Sequence, residues 1–284
     1  MIQLIAAIIS SSLIFVLFRL AKNYQSRLSA LITYNYLAAS LLGLLLFKPF
    51  SGLEAGANYS WIPFAVVNGL LFIGIFFLIG QSSQKAGITV TTLATKLSVV
   101  FPVLFSIVYF NEQISNVRAI GLIAAFIAIG LTLYKKDLNK TKYIFILLPL
   151  TIFVGSGVVD SIVKFVQEAK MNPGQSALYT TVVFMVAFSC GMVISSFSAK
   201  RQFSIHPPTL FLGTMLGIVN FGSLYFLIEA LNKSNLKSSM VFAINNMSIV
   251  TLTAILGWFL FKERLNKINL AGIVMALLSI YFLL

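Results

Sequence analysis

The chain has one cysteine and one histidine in 284 residues, which removes two kinds of chemistry. Cys190 has no second cysteine to pair with, so there is no disulfide framework. With His206 as the single histidine, a His/Cys metal site is not available, and no cofactor motif is present. Charge is scarce as well. Asp, Glu, Lys and Arg make up 10% of the chain, against about 25% in water-soluble domains. Only 7 residues are acidic. There is no GxxxxGK[ST] loop to cradle nucleotide phosphates, so ATP is not the energy source. Zinc-finger spacing, an RNP-like aromatic motif and a basic low-complexity tail are all missing. The net charge of +13 is therefore not read as a nucleic-acid footprint.

What the chain has in abundance is apolar surface. It is 59% hydrophobic with a mean hydropathy of +0.97. No soluble core absorbs that much, so the solvent must largely be lipid. Ten segments are long and apolar enough to cross a bilayer: 2–20, 28–47, 60–80, 88–110, 117–134, 143–165, 175–197, 208–231, 237–261 and 267–284. The breaks between them carry turn residues and most of the basic side chains, as in "KKDLNKTK" and "KERLNK". The N-terminal stretch lacks a basic lead-in and reads as the first span, not as a cleaved signal. The fold class is an all-α bundle of ten transmembrane helices, since backbone groups in lipid must be satisfied within each segment.

The sequence repeats. "FNEQISNVRAIGLIAAFIAIGLTLY" matches "FKERLNKINLAGIVMALLSIYFLL", with Glu112 over Glu263 and Gly121 over Gly272. "FFLIG" at 76–80 matches "YFLIE" at 225–229, and Arg19 falls over Lys164. The halves are 1–137 and 138–284, with five spans each. An odd number of spans per half forces the second half to start on the opposite side. The halves are then inverted repeats, an architecture of alternating-access transporters.

These paired motifs resemble the hallmark of the drug/metabolite transporter superfamily, EamA type. The resemblance covers the whole chain, with the motif once per half. It implies a secondary transporter whose central cavity is lined by spans 1, 3, 4, 6, 8 and 9. It also implies that spans 5 and 10 hold the halves together or support a homodimer. Gln113 stands where the family commonly has a basic residue. Lys96 is not a general feature of the family; it is reminiscent of the phosphosugar and nucleotide-sugar branch, where lysines meet anionic substrates.

Lys96 costs roughly 2.5–3.5 kcal/mol in a membrane helix, so it needs a reason. Thr89, Thr92 and Lys96 share one face of span 4. Three readings are open: a structural pair with a carboxylate, a substrate or coupling group, or a side chain snorkelling to the interface. Pro102 is expected to kink the span and free carbonyls. In span 6, Gly157, Asp160 and Lys164 share a face. Asp160 either pairs with Lys164 at i, i+4, pairs with Lys96, or carries a proton. Span 8 carries Gly213 and Gly217 as a close-approach face, Asn220 on the same face, and Glu229 near its end. In span 9, Asn245 and Asn246 correspond in the repeat to the Lys96 region, and Ser239, Asn246 and Thr253 recur every seven residues. Two adjacent mid-span asparagines are costly unless partnered. Asn68 in span 3 is a further cavity residue. Tyr34, Asn35 and Tyr36 read as interfacial, and Trp61 and Trp258 as belt or packing residues. The expected pathway residues are Lys96, Thr92, Asn68, Asp160, Asn220, Glu229, Asn245 and Asn246.

The functional expectation is a secondary carrier in the cytoplasmic membrane that exports a small polar, amino-acid-like metabolite. The alternative is a phosphosugar-type anion exchanger built on Lys96. A membrane enzyme would need paired Asp, Ser/His or His/Glu constellations that the spans do not offer. A non-transporting membrane protein predicts no polar faces in spans 4, 6, 8 and 9. Loops after odd-numbered spans hold 13 basic residues and even ones 6, which alone places both termini outside. The resemblance implies cytoplasmic termini, and that orientation is taken.

Overall fold

Runs of Leu, Ile, Val, Phe and Ala between polar loops leave the backbone no hydrogen-bonding solution in lipid except the helix. A computed structural model describes residues 2–47, 59–109, 115–133, 144–172, 174–196, 206–234, 236, 238–263 and 267–283. Among them there are eleven α-helices and no strands. They are α1 (Ile2–Asn23), α2 (Leu28–Phe47), α3 (Ile62–Lys85), α4 (Ile88–Leu97), α5 (Val100–Tyr109), α6 (Asn116–Leu133), α7 (Ile144–Ala169), α8 (Ser176–Ser196), α9 (Pro207–Lys233), α10 (Ser238–Phe261) and α11 (Lys267–Leu283). The expected ten spans are all accounted for. Span 4 is split into α4 and α5, and the later spans follow one number behind their helices. Eight of these segments are long and apolar enough to cross a membrane, counting Ile88–Phe105 as one. α6 and α11, at 18 and 17 residues, sit at the short end of the spanning range.

The chain forms two compact units, and each takes helices from both sequence halves. The first comprises Met1–Gly80 and Ile162–Lys233. In it α9 packs on α1 and α2, and α8 on α2 and α9. The close-approach face expected in α9 is there. A methyl group on Gly213 would fall 2.6 Å from Tyr34 Cβ, and one on Gly217 would collide with the Asn35 carbonyl of α2. Rings knit the interior: Phe18 to Phe76 at 5.0 Å, Phe76 to Tyr36 at 5.7 Å, and Tyr36 to Phe184 at 5.9 Å. Each such pair adds about 0.5–1.5 kcal/mol beyond area burial.

The second unit comprises Gln81–Ser161 and Ser234–Leu284. In it α6 packs along α11, α4 against α10, and α10 against α11. Ser279 Oγ donates to the Gly121 carbonyl at 2.8 Å, tying α11 to α6. Phe101 meets Phe153 at 5.1 Å, and its ring lies over Gly157, where any side chain would collide with it. The outward faces remain strongly apolar. Ile123 is 63% exposed and Leu270 56%, which fits lipid as the surrounding solvent.

Candidate functional site

The second unit's site begins where α4 begins. Gly87 adopts φ 102°, a left-handed conformation that suits glycine. The first amide groups of α4 need acceptors that the helix cannot supply. Glu263 supplies them. Its Oε1 accepts from Ile88 N–H at 2.6 Å, and its Oε2 from Thr89 N–H at 3.2 Å and from the Thr89 hydroxyl at 2.7 Å. A carboxylate here also meets the positive end of the helix dipole. Gly257 makes room for the clasp, because a methyl group there would lie 2.8 Å from Thr89 Oγ1. Thr89 is therefore committed to the helix cap. The polar stripe expected on α4 reduces to Thr92 and Lys96.

Three turns on, the helix breaks. Pro102 has no N–H to offer the Ser98 carbonyl, which takes the Phe101 N–H at 2.9 Å instead. The turn at Ser98–Val99 separates α4 from α5, so the expected kink is a full interruption. At the break the Lys96 carbonyl takes the Val99 N–H at 3.4 Å in place of its regular i+4 donor. That carbonyl accepts from Asn246 Nδ2 of α10 at 3.3 Å. Asn245 Nδ2 in turn donates to Asn246 Oδ1 at 3.4 Å. Both asparagines are buried, as is Thr92. Among the described residues Asn245 Oδ1 and Thr92 Oγ1 have no protein hydrogen-bond partner. A ligand reaching either atom would gain a hydrogen bond there.

Asp160 of α7 joins this group. Its Oδ2 accepts from Ser98 Oγ at 3.1 Å, and it stands close enough for its charge to act on that of Lys96. Lys96 and Asp160 are both half-buried. Of the two partners expected for Asp160, Lys96 lies within electrostatic reach of it. Lys164 lies 3.9 Å from Glu168. Five of the eight expected residues, Thr92, Lys96, Asp160, Asn245 and Asn246, thus belong to one unit. Ser98 and Glu263 complete the group; Ser98 was not singled out in the sequence, and Glu263 only as a member of the repeated motif. The signal for Ser98 was its position four residues before a mid-span proline.

The other three lie in the first unit, where each has a protein partner, although Asn68 Oδ1 and Asn35 Nδ2 are buried without one. Asn68 Nδ2 donates to the Tyr179 hydroxyl at 2.9 Å, and Asn220 Nδ2 to Asn35 Oδ1 at 3.2 Å. Glu229 accepts from Lys233 at 2.5 Å, one turn along its own helix. Asn35 and Tyr36 are fully buried, which corrects the interfacial reading of that stretch. Their partners sit far away in sequence, so spacing within α2 gave no warning. Trp61 is also fully buried and donates to Gln175 Oε1 at 3.0 Å, whereas Trp258 is 69% exposed. The Ser239 side chain and Glu112 lie outside the described residues. Thr253, third on the expected α10 stripe, bonds its own helix at the Ile249 carbonyl.

Known proteins bear on this arrangement. Residues 141–284 match the EamA-like transporter family. An uncharacterized protein of Haemophilus influenzae is 30% identical over 287 residues, covering 99% of this chain and 97% of its own. A crystal structure of a protein 13% identical to this chain covers 98% of it and 95% of itself at a TM-score of 0.59, which shows a shared fold. With a family match over the second half and a full-length relative, the chain belongs to the EamA-like transporter family of the drug/metabolite transporter superfamily and is a multi-pass membrane protein.

Proposed function

We propose that the chain is a secondary carrier of the cytoplasmic membrane that exports a small polar, amino-acid-like metabolite by alternating access. One observation carries this reading. Lys96 and Asp160, on different helices, place opposite charges beside a broken helix and two orphaned acceptors. A zwitterion answers both charges: its carboxylate meets Lys96 and its ammonium meets Asp160. Asn245 and Thr92 then accept further hydrogen bonds from it. Breaks of this kind are where carriers expose backbone polar groups to a substrate.

The repeat reading is supported by the packing. Matching spans of the two halves lie on each other: α2 on α8, α4 on α10, and α6 on α11. A twofold relation between halves 1–137 and 138–284 gives that pattern. Both termini are cytoplasmic in this proposal. The anion-exchanger reading is weakened by Asp160, whose negative charge acts on the lysine an anion would need.

The test is counterflow in proteoliposomes loaded with amino acids, amines, nucleosides or phosphorylated sugars, on wild type and Lys96→Met. The reading expects exchange of a zwitterion that the variant loses. Exchange confined to phosphorylated sugars would replace it with the anion exchanger.

A further inference from the structure

The C-terminal end of α10 and the start of α11 enclose a feature that the proposed transport does not use. A cavity of about 960 Å³ opens on the outer face of the second unit, lined by Ala254, Ile255, Trp258, Phe259, Leu270 and Ile273, with Lys262 and Glu263 at its end. That is the size of a pocket for a whole small molecule, roughly 300–1,000 Å³. Phe259 is 73% exposed and Ile255 56%.

The two charged residues at the rim are not equivalent. Both carboxylate oxygens of Glu263 are taken by Ile88 and Thr89. Lys262 is exposed and held in the left-handed conformation, φ 51°. The turn is closed by a Glu263 N–H bond to the Gly257 carbonyl at 3.1 Å. Lys267, also exposed, opens α11 five residues later. Lys262 thus lines the apolar groove where α10 ends, and Lys267 stands one helical turn before the lining residue Leu270 on α11. An acyl chain fills such a groove and an anionic headgroup meets such an end.

We propose that this groove is a binding site for an anionic glycerophospholipid. Its acyl chain lies along Ile255, Trp258, Phe259 and Leu270, and its phosphate is held by Lys262 and Lys267. The occupant is chosen by charge: a second copy of the chain would bring the same two lysines to the contact.

The two tryptophans make this measurable, because Trp258 lines the groove and Trp61 is fully buried. Wild type, Trp258→Phe and the double variant Lys262→Gln/Lys267→Gln are reconstituted in phosphatidylcholine vesicles. Brominated phosphatidylglycerol is titrated in one series and brominated phosphatidylcholine in another. Trp258→Phe supplies the blank that isolates the Trp258 emission. In wild type, phosphatidylglycerol should half-quench Trp258 at a mole fraction about tenfold lower than phosphatidylcholine does. In the double variant that preference should fall to about one. Native mass spectrometry of the detergent-purified proteins should show phosphatidylglycerol retained by wild type and lost from the double variant. Equal quenching by the two lipids in wild type would reduce the groove to ordinary lipid contact. A preference that survives the double variant would remove the lysines from the site. Absence of quenching by either lipid would mean a second copy covers the groove. Each of these three results overturns the proposal.

Discussion

The two units differ in where their buried charges find partners. In the first, mid-helix polar groups are neutral and partner one another: Asn68 with Tyr179, and Asn220 with Asn35. Its buried charges close locally, Glu229 on Lys233 and Lys164 near Glu168. In the second unit, the charges Lys96 and Asp160 come from different helices and act on each other near a break. Orphaned amide atoms occur in both units, Asn68 Oδ1 and Asn35 Nδ2 in the first and Asn245 Oδ1 in the second. A neutral pair stiffens a helix contact without burying a charge. A charge pair in lipid costs several kcal/mol per ion unless something further is gained. This difference in buried charge is what the proposed substrate site rests on.

The sharpest way to break this contrast is Lys96→Met. Transport should fall by about 100-fold, equivalent to about 2.7 kcal/mol, while the melting temperature changes little. Initial rates of counterflow check it, and unchanged transport would remove the distinction between the units. Adding Asp160→Asn to Lys96→Met should leave transport lost, because the charges act on substrate and not only on each other.

Glu263→Ala comes next. It strips α4 of acceptors for two amides and a hydroxyl, and should cost about 2 kcal/mol of stability. Glu263→Gln should recover part of this, since it keeps one acceptor oxygen. Thermal unfolding in detergent reads both.

Tyr179→Phe should cost about 1 kcal/mol through loss of the Asn68 bond and leave transport rates near wild type. A large transport defect here would make the first unit's amides part of the pathway.

The smallest effect is expected for Lys233→Gln. Lys233 is 62% exposed, so its bond to Glu229 is screened and its removal should leave the melting temperature unchanged.

Most of the fold could be read from residue order because lipid enforces a simple rule: apolar runs of sufficient length become helices. The site was legible where a cost was visible within one segment. Lys96, Asp160, Asn245 and Asn246 each stand out in an apolar run, and helical spacing tied Thr92 to Lys96. Partner choice was not legible. Thr89 looked like a continuation of the Lys96 stripe, yet it caps α4 with a carboxylate 174 residues away. Asn35 looked interfacial, yet it meets Asn220 at a separation of 185 residues. Such contacts depend on how closely two helices approach, which spacing along one helix does not encode. The Pro102 break was half legible. Proline announced the disturbance, but only the structure shows the Lys96 carbonyl shared between the Val99 N–H and Asn246.

The most direct measurement is the ligand-induced shift in melting temperature of the purified protein, since a ligand that binds the folded state raises it by mass action. Wild type, Lys96→Met and Asp160→Asn would be screened against amino acids, amines, nucleosides and phosphorylated sugars. The account predicts that a zwitterion stabilises wild type and that either substitution abolishes the shift. A compound that stabilises all three proteins equally would contradict it, and would place the binding site away from Lys96 and Asp160.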